Sequence, residues 1–98
     1  MARSNKRLEK MRQNPSGWRI EQVEALCRSF GIECDPPPGG GSHYTVAHSS
    51  QKEQLTVVAR KPVKPIYIRL LVSFVDKVQI WRANESSRIQ GTGGDTIR

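Results

Sequence analysis

"HYTVAHSSQKEQLTVVARKPVKPIYIRLLVSFVD", His43 to Asp76, changes its period partway along, and that change decides the fold. Over "HYTVAH" the side chains alternate, which places Tyr44 and Val46 on one face of a strand and His43, Thr45 and Ala47 on the other. "EQLTVVAR" comes after the polar turn "SSQK", so the two runs read as a hairpin. Beyond "KPVKP" the spacing turns helical. Arg69, Ser73, Asp76 and Lys77 form one solvated stripe, while Ile66, Leu70, Leu71, Phe74, Val75 and Val78 fill most of the remainder. This predicts a helix from Ile66 to about Ile80, with Pro65 in its first turn, where a missing N–H costs nothing. Tyr44 and Val46 are the better core residues, so His43 should point away from the core.

Working outward, Trp18 to Phe30 carries Ile20, Val23, Leu26, Cys27 and Phe30 on one stripe, the spacing of an amphipathic helix. Gly31 stands where a C-terminal cap belongs, and Ser16 is the candidate N-cap, weakened by Gly17 in the first turn. "IEC" reads as a third short strand. Within the basic segment 1–15, "SNKRLEKMRQ" has only Leu8 and Met11 at helical spacing before "NPSG" breaks it, so it promises at best a short, loosely attached helix. From Arg82 onward "RANESSRIQGTGGDTIR" is nearly devoid of apolar residues, and residues 82–98 are expected to form a disordered tail. The expected domain, residues 16–81, is therefore α+β: helix, three antiparallel strands, helix. Both helices bury one stripe against the same side of the sheet, and His43 lies on the open side.

Composition narrows the partner. A chain of 98 residues builds one small core, and 16 Lys and Arg against 9 acidic residues give a formal charge of +7 and a pI near 10.0. That balance favours a polyanion such as nucleic acid, or an acidic protein. No apolar run approaches the roughly 20 residues of a membrane span, and "MARSNKRLEK" lacks the apolar core of a signal peptide, so a cytoplasmic protein without a membrane partner is expected. Cys27 and Cys34 fit no C-x-x-C pattern and have no further cysteines to complete a zinc site. Two free thiols are expected in a reducing compartment, a Cys27–Cys34 disulfide being the alternative.

The helix "WRIEQVEALCRSFGIEC", the turn and strand "GGGSHYTVAH", the strand "LTVVAR" and the segment "KPVKPIYIRLLVSFVD" resemble, in order and spacing, the HicA family of toxin–antitoxin toxins. The resemblance runs from about Leu8 to Val78. It implies a fold similar to the double-stranded RNA-binding domain, ribosome-independent cleavage of mRNA, no cofactor, and neutralisation by a HicB-type antitoxin. The family's catalytic histidine lies in a Gly-Ser-His motif, which corresponds here to Gly41, Ser42 and His43. Many members carry a second histidine directly after the first. This chain has Tyr44 instead, which leaves a single-histidine mechanism, and its glycine run is longer.

RNA is cut without metal when its own 2′-OH attacks the adjacent phosphorus, and imidazole is the side chain whose ordinary titration suits it to take or give that proton. His43 is the candidate for this role. Gly40 and Gly41 clear side chains from the backbone's path and offer N–H groups to a phosphate, and Ser42 offers a hydroxyl. Arg60, Lys61 and Lys64, together in "ARKPVK" before the last helix, are candidates for meeting phosphate charge, with Arg69 one turn later. Each choice has a plainer rival: a lone strand histidine is by default a half-exposed sheet residue, and a basic run a solvated one. Two other readings stand beside the nuclease: a non-catalytic RNA-binding module of the same fold, and an inactive homologue acting through protein contacts.

Overall fold

A three-stranded sheet forms where the alternating runs are. The computed structural model describes the backbone of residues 2–91 and the side chains of residues 5–85. The chain folds in the order α1 (Ala2–Gln13), α2 (Ile20–Ser29), β1 (Glu33–Asp35), β2 (His43–Ala47), β3 (Leu55–Val58) and α3 (Pro65–Gly91). The strands lie in the order β1-β2-β3, both pairs antiparallel, with Cys34 opposite Val46, Tyr44 opposite Val57 and His43 opposite Val58. Directly paired residues share a face, so Tyr44, Val46, Val57 and Cys34 look toward the helices. His43, Val58, Thr45, Thr56, Asp35, Ala47 and Glu33 look away from them. Val46 and Val57 are buried and His43 is exposed, as the period-2 pattern requires.

The helices cover the first of these faces. Val23, Leu26 and Cys27 of α2 meet Ile68, Leu71, Val75 and Val78 of α3 over Val46 and Val57 in one core, which Val63 joins from the segment ahead of α3. At its C-terminus α2 ends in a Schellman turn: Gly31 N–H bonds to the Arg28 carbonyl at 3.2 Å and Ile32 N–H to the Cys27 carbonyl at 2.8 Å. Gly31 has φ +69°, so the backbone favours glycine there; the nearest atom to an added Cβ is the tip of the flexible, exposed Arg82 side chain, which can move aside.

The structure amends the sequence reading at three places. Ser16 is not the N-cap of α2. Arg19 holds that position, and its N–H donates to Gln22 Oε1 at 2.9 Å, while the Ser16 N–H is taken by Asn14 Oδ1 at 3.2 Å. Helix α1 is not loosely attached: Leu8 is 2% and Met11 0% exposed within the core, and Arg12 grips Asp76 of α3 with bonds of 2.8 and 2.9 Å. Finally, α3 does not stop near Ile80 but runs to Gly91. Once a helix is nucleated each further residue adds a bond, and no Gly or Pro lies between Ile66 and Gln90 to break it. The tail expected over 82–98 is thus helical to Gly91; residues 92–98 lie outside the described residues.

Candidate nucleic-acid interface

The Pro/Gly run between β1 and β2 sets the position of His43. Gly40 N–H donates to the Pro37 carbonyl at 3.3 Å, closing a four-residue turn with Pro38 and Gly39 at its centre. Gly39 has φ +78°, the value that the second central residue of a type II turn takes after proline. Gly40 follows at φ +81°. The run is therefore a shaped loop, and Gly40's amide is spent inside its turn. What Gly40 leaves beside the loop is open space, since a Cβ there would meet nothing within 4 Å. The Gly41 and Ser42 amides come next in the chain and make no hydrogen bond among the described residues.

Directly beyond this loop, Ala59 N–H donates to the Ser42 carbonyl at 2.6 Å and His43 pairs with Val58. The start of β2 is thereby joined to the end of β3, and Arg60 emerges next to it. Arg60, Lys61 and Lys64 are all exposed on a segment whose one buried residue, Val63, holds it down. The Lys64 carbonyl accepts from the amides of Tyr67 at 3.0 Å and Ile68 at 3.4 Å, so Lys64 caps α3 with Pro65 in the first turn. No acidic residue lies in that first turn, and a lysine adds positive charge to the positive end of the helix dipole.

Gly41, Ser42, His43, Arg60, Lys61 and Lys64 are thus gathered at one end of the domain. Arg69 is not among them. It lines a groove with Met11, Arg12, Val72, Ser73 and Asp76, on the flank of α3 that α1 covers. The sequence had put Arg69 on the solvated stripe correctly but could not show that α1 would lie alongside it.

The sheet contributes a feature that the sequence reading missed. Glu33 and Asp35 sit on the open face with His43, Asp35 being diagonal to it through Thr45. Two carboxylates along β1 make that side of the open face negative, opposite in sign to the Arg60–Lys64 side. The alternation of "ECD" was the available signal, but three residues are too few to fix a register.

The remaining aromatic and thiol groups are held within the fold. His48 Nδ1 accepts the Ser50 N–H at 3.0 Å, and its ring meets Trp81 edge-on at a centroid distance of 5.5 Å. Cys27 and Cys34 are free thiols in contact across α2 and β1, Cys27 buried and Cys34 half-buried. Interaction with Cys27 lowers the Cys34 thiol from its ordinary range. The same interaction, with burial, raises Cys27. Among the described residues no group of three or more His, Cys, Asp or Glu side chains converges, and no helix is long and apolar enough to cross a membrane.

Fold and site together describe a small α+β domain that presents one exposed histidine beside a basic segment. No family model, no curated protein and no solved structure matches the chain.

Proposed function

We propose that this protein is an RNA endonuclease of the HicA kind, an mRNA-cleaving toxin held in check by a HicB-type antitoxin. The observation that carries the reading is the position of His43, exposed at the start of β2 beside the shaped glycine turn and the Arg60–Lys64 segment. The order α2-β1-β2-β3-α3 with helices on one face is also that of the double-stranded RNA-binding domain, to which α1 is an addition. Recognition of sugar and phosphate by shape and charge suits such a surface.

In this mechanism the His43 imidazole takes the proton of a ribose 2′-OH as the 2′ oxygen bonds to the adjacent phosphorus. The bond from phosphorus to the 5′ oxygen breaks, and that oxygen takes a proton from solvent at this open site. The products are a 2′,3′-cyclic phosphate and a 5′-OH. Arg60, Lys61 and the Gly41 N–H meet the charge that grows on the phosphate oxygens. The test is incubation of purified wild-type and His43→Ala chains with RNA. Cleavage by the wild type alone, with cyclic phosphate ends, supports the assignment, and equal cleavage by both would falsify it.

A second reading, binding without cutting, draws on one observation: the His43 ring forms no hydrogen bond among the described residues, so nothing within the domain orients it. It predicts salt-sensitive RNA binding by both chains in the same experiment, with no products.

A further inference from the structure

Helix α1 has two unlike flanks. On one, Arg12 draws together the acids within its reach, bonding Asp76 through two nitrogens and Glu9 at 3.2 Å. On the other, Lys6, Arg7 and Lys10 line a groove of about 320 Å³ with Trp18 and Gln22, and no acidic residue lines it. None of the three cations forms an ion pair among the described residues. Lys6 and Lys10 stand four apart and Arg7 and Lys10 three apart, spacings at which like charges oppose helix formation. Glu9 and Asp76, bound by Arg12 on the far flank, do not pair with these three cations.

The other groups in the groove suit a nucleotide. The Trp18 indole N–H donates to the Asn14 carbonyl at 2.7 Å, so the ring presents carbon to the groove rather than a polar group. Gln22 accepts the Arg19 N–H through Oε1, leaving its amide nitrogen as a donor. Cations, a side-chain amide and a half-buried aromatic ring are what a single strand uses, phosphates on the first and a base against the last. The groove is also tied to the basic segment already described. Val63 N–H donates to the Trp18 carbonyl at 2.8 Å, so Trp18 is fastened to the same segment that carries Arg60, Lys61 and Lys64.

We infer that the groove between α1 and α2 is a second binding site for single-stranded RNA, taking up to three phosphates on Lys6, Arg7 and Lys10 with a base against Trp18. This rests on the RNA reading above and extends it: the strand held at His43 continues past the α3 N-terminus onto the N-terminal helix.

The test uses the full chain carrying His43→Ala, to prevent cleavage, and Trp81→Phe, so that Trp18 is the one remaining indole. The probe is a mixed-sequence RNA of about 12 nucleotides, within the range of sites on single-strand binding surfaces. RNA should quench Trp18 emission. Adding Lys6→Ala, Arg7→Ala and Lys10→Ala should weaken Kd about tenfold at low salt and reduce the slope of log Kd against log salt by about two, three contacts at about 0.7 each. Lys6→Glu with Lys10→Glu, at two exposed positions, should weaken binding further while leaving the packing of Arg7 alone. Unchanged Kd and slope in both variants overturn the inference. So does binding of an acidic polypeptide, such as polyglutamate, that depends on this groove while RNA binding does not. A chain that cleaves RNA with groove-insensitive binding loses only this inference. One whose His43→Ala form cuts as well as wild type, yet binds RNA through the groove, loses only the catalytic assignment.

Discussion

The Ala59 N–H donates to the carbonyl of Ser42 at 2.6 Å, and this bond brings the residue before His43 to within one residue of Arg60. An exposed imidazole and a cationic segment that are separated in the chain by the hairpin become neighbours through sheet register. If the RNA reading holds, His43→Ala should lower cleavage about 10²- to 10⁴-fold, the usual contribution of a positioned acid or base. Because His43 is exposed, thermal unfolding should be unaltered within about 0.5 kcal/mol. A large loss of stability in that variant would mean that the ring has a structural task instead.

Arg60→Ala, Lys61→Ala and Lys64→Ala together should weaken RNA binding uniformly across sequences. The salt slope should fall by about two, from three contacts at about 0.7 each. Arg69→Ala, on the flank covered by α1, should leave that slope unaltered; filter binding at several salt concentrations separates the two cases, and an equal effect of Arg69 would count against the placement of the interface.

Gly39→Ala and Gly40→Ala should each destabilise the domain by about 1–2 kcal/mol, since both residues lie at positive φ where a Cβ is strained. The space around them is open, so the cost is in the backbone and not in packing. Urea unfolding measures it; a cost near zero would mean that the turn opens freely and does not pre-shape the loop before His43.

Helix α1 is predicted to be integral to the fold. Leu8→Ala or Met11→Ala should cost about 2–5 kcal/mol as buried large-to-small changes. Asp76→Ala should cost no more than about 1 kcal/mol, because its pair with Arg12 is partly exposed to solvent. If removal of residues 1–13 leaves the unfolding midpoint in place, α1 is only an appendage.

The thiols give a pH-dependent readout. Interaction with Cys27 lowers the Cys34 thiol, so at a given pH below its ordinary range Cys34 is more ionised than a free cysteine, while the same interaction and burial hold Cys27 protonated. Thiolate is the species that alkylates, so Cys34 should react with iodoacetamide at lower pH than a model thiol and before Cys27. Peptide mass mapping after brief labelling checks the order, and earlier labelling of Cys27 would count against it.

Much of this architecture is local, and therefore legible in the chain. Period-2 alternation placed His43 and Tyr44 on opposite faces of β2, and Gly31 and Pro65 marked helix ends because their backbones suit those positions. What could not be read locally was what each apolar residue meets. Leu8 and Met11 are too few to announce a packed helix, and only the groove beside α3 shows what they bury against. Lys6, Arg7 and Lys10 are an ordinary basic run until Trp18 is folded against them. In the same way, register alone set Asp35 diagonal to His43, and a hydrogen bond across the turn took the Gly40 amide out of use. Sequence by itself determined the elements and the outward face of the histidine, because backbone sterics and side-chain periodicity act between near neighbours. Which charges stand together was decided by tertiary structure, because burial of the core, not local preference, chooses how distant segments meet.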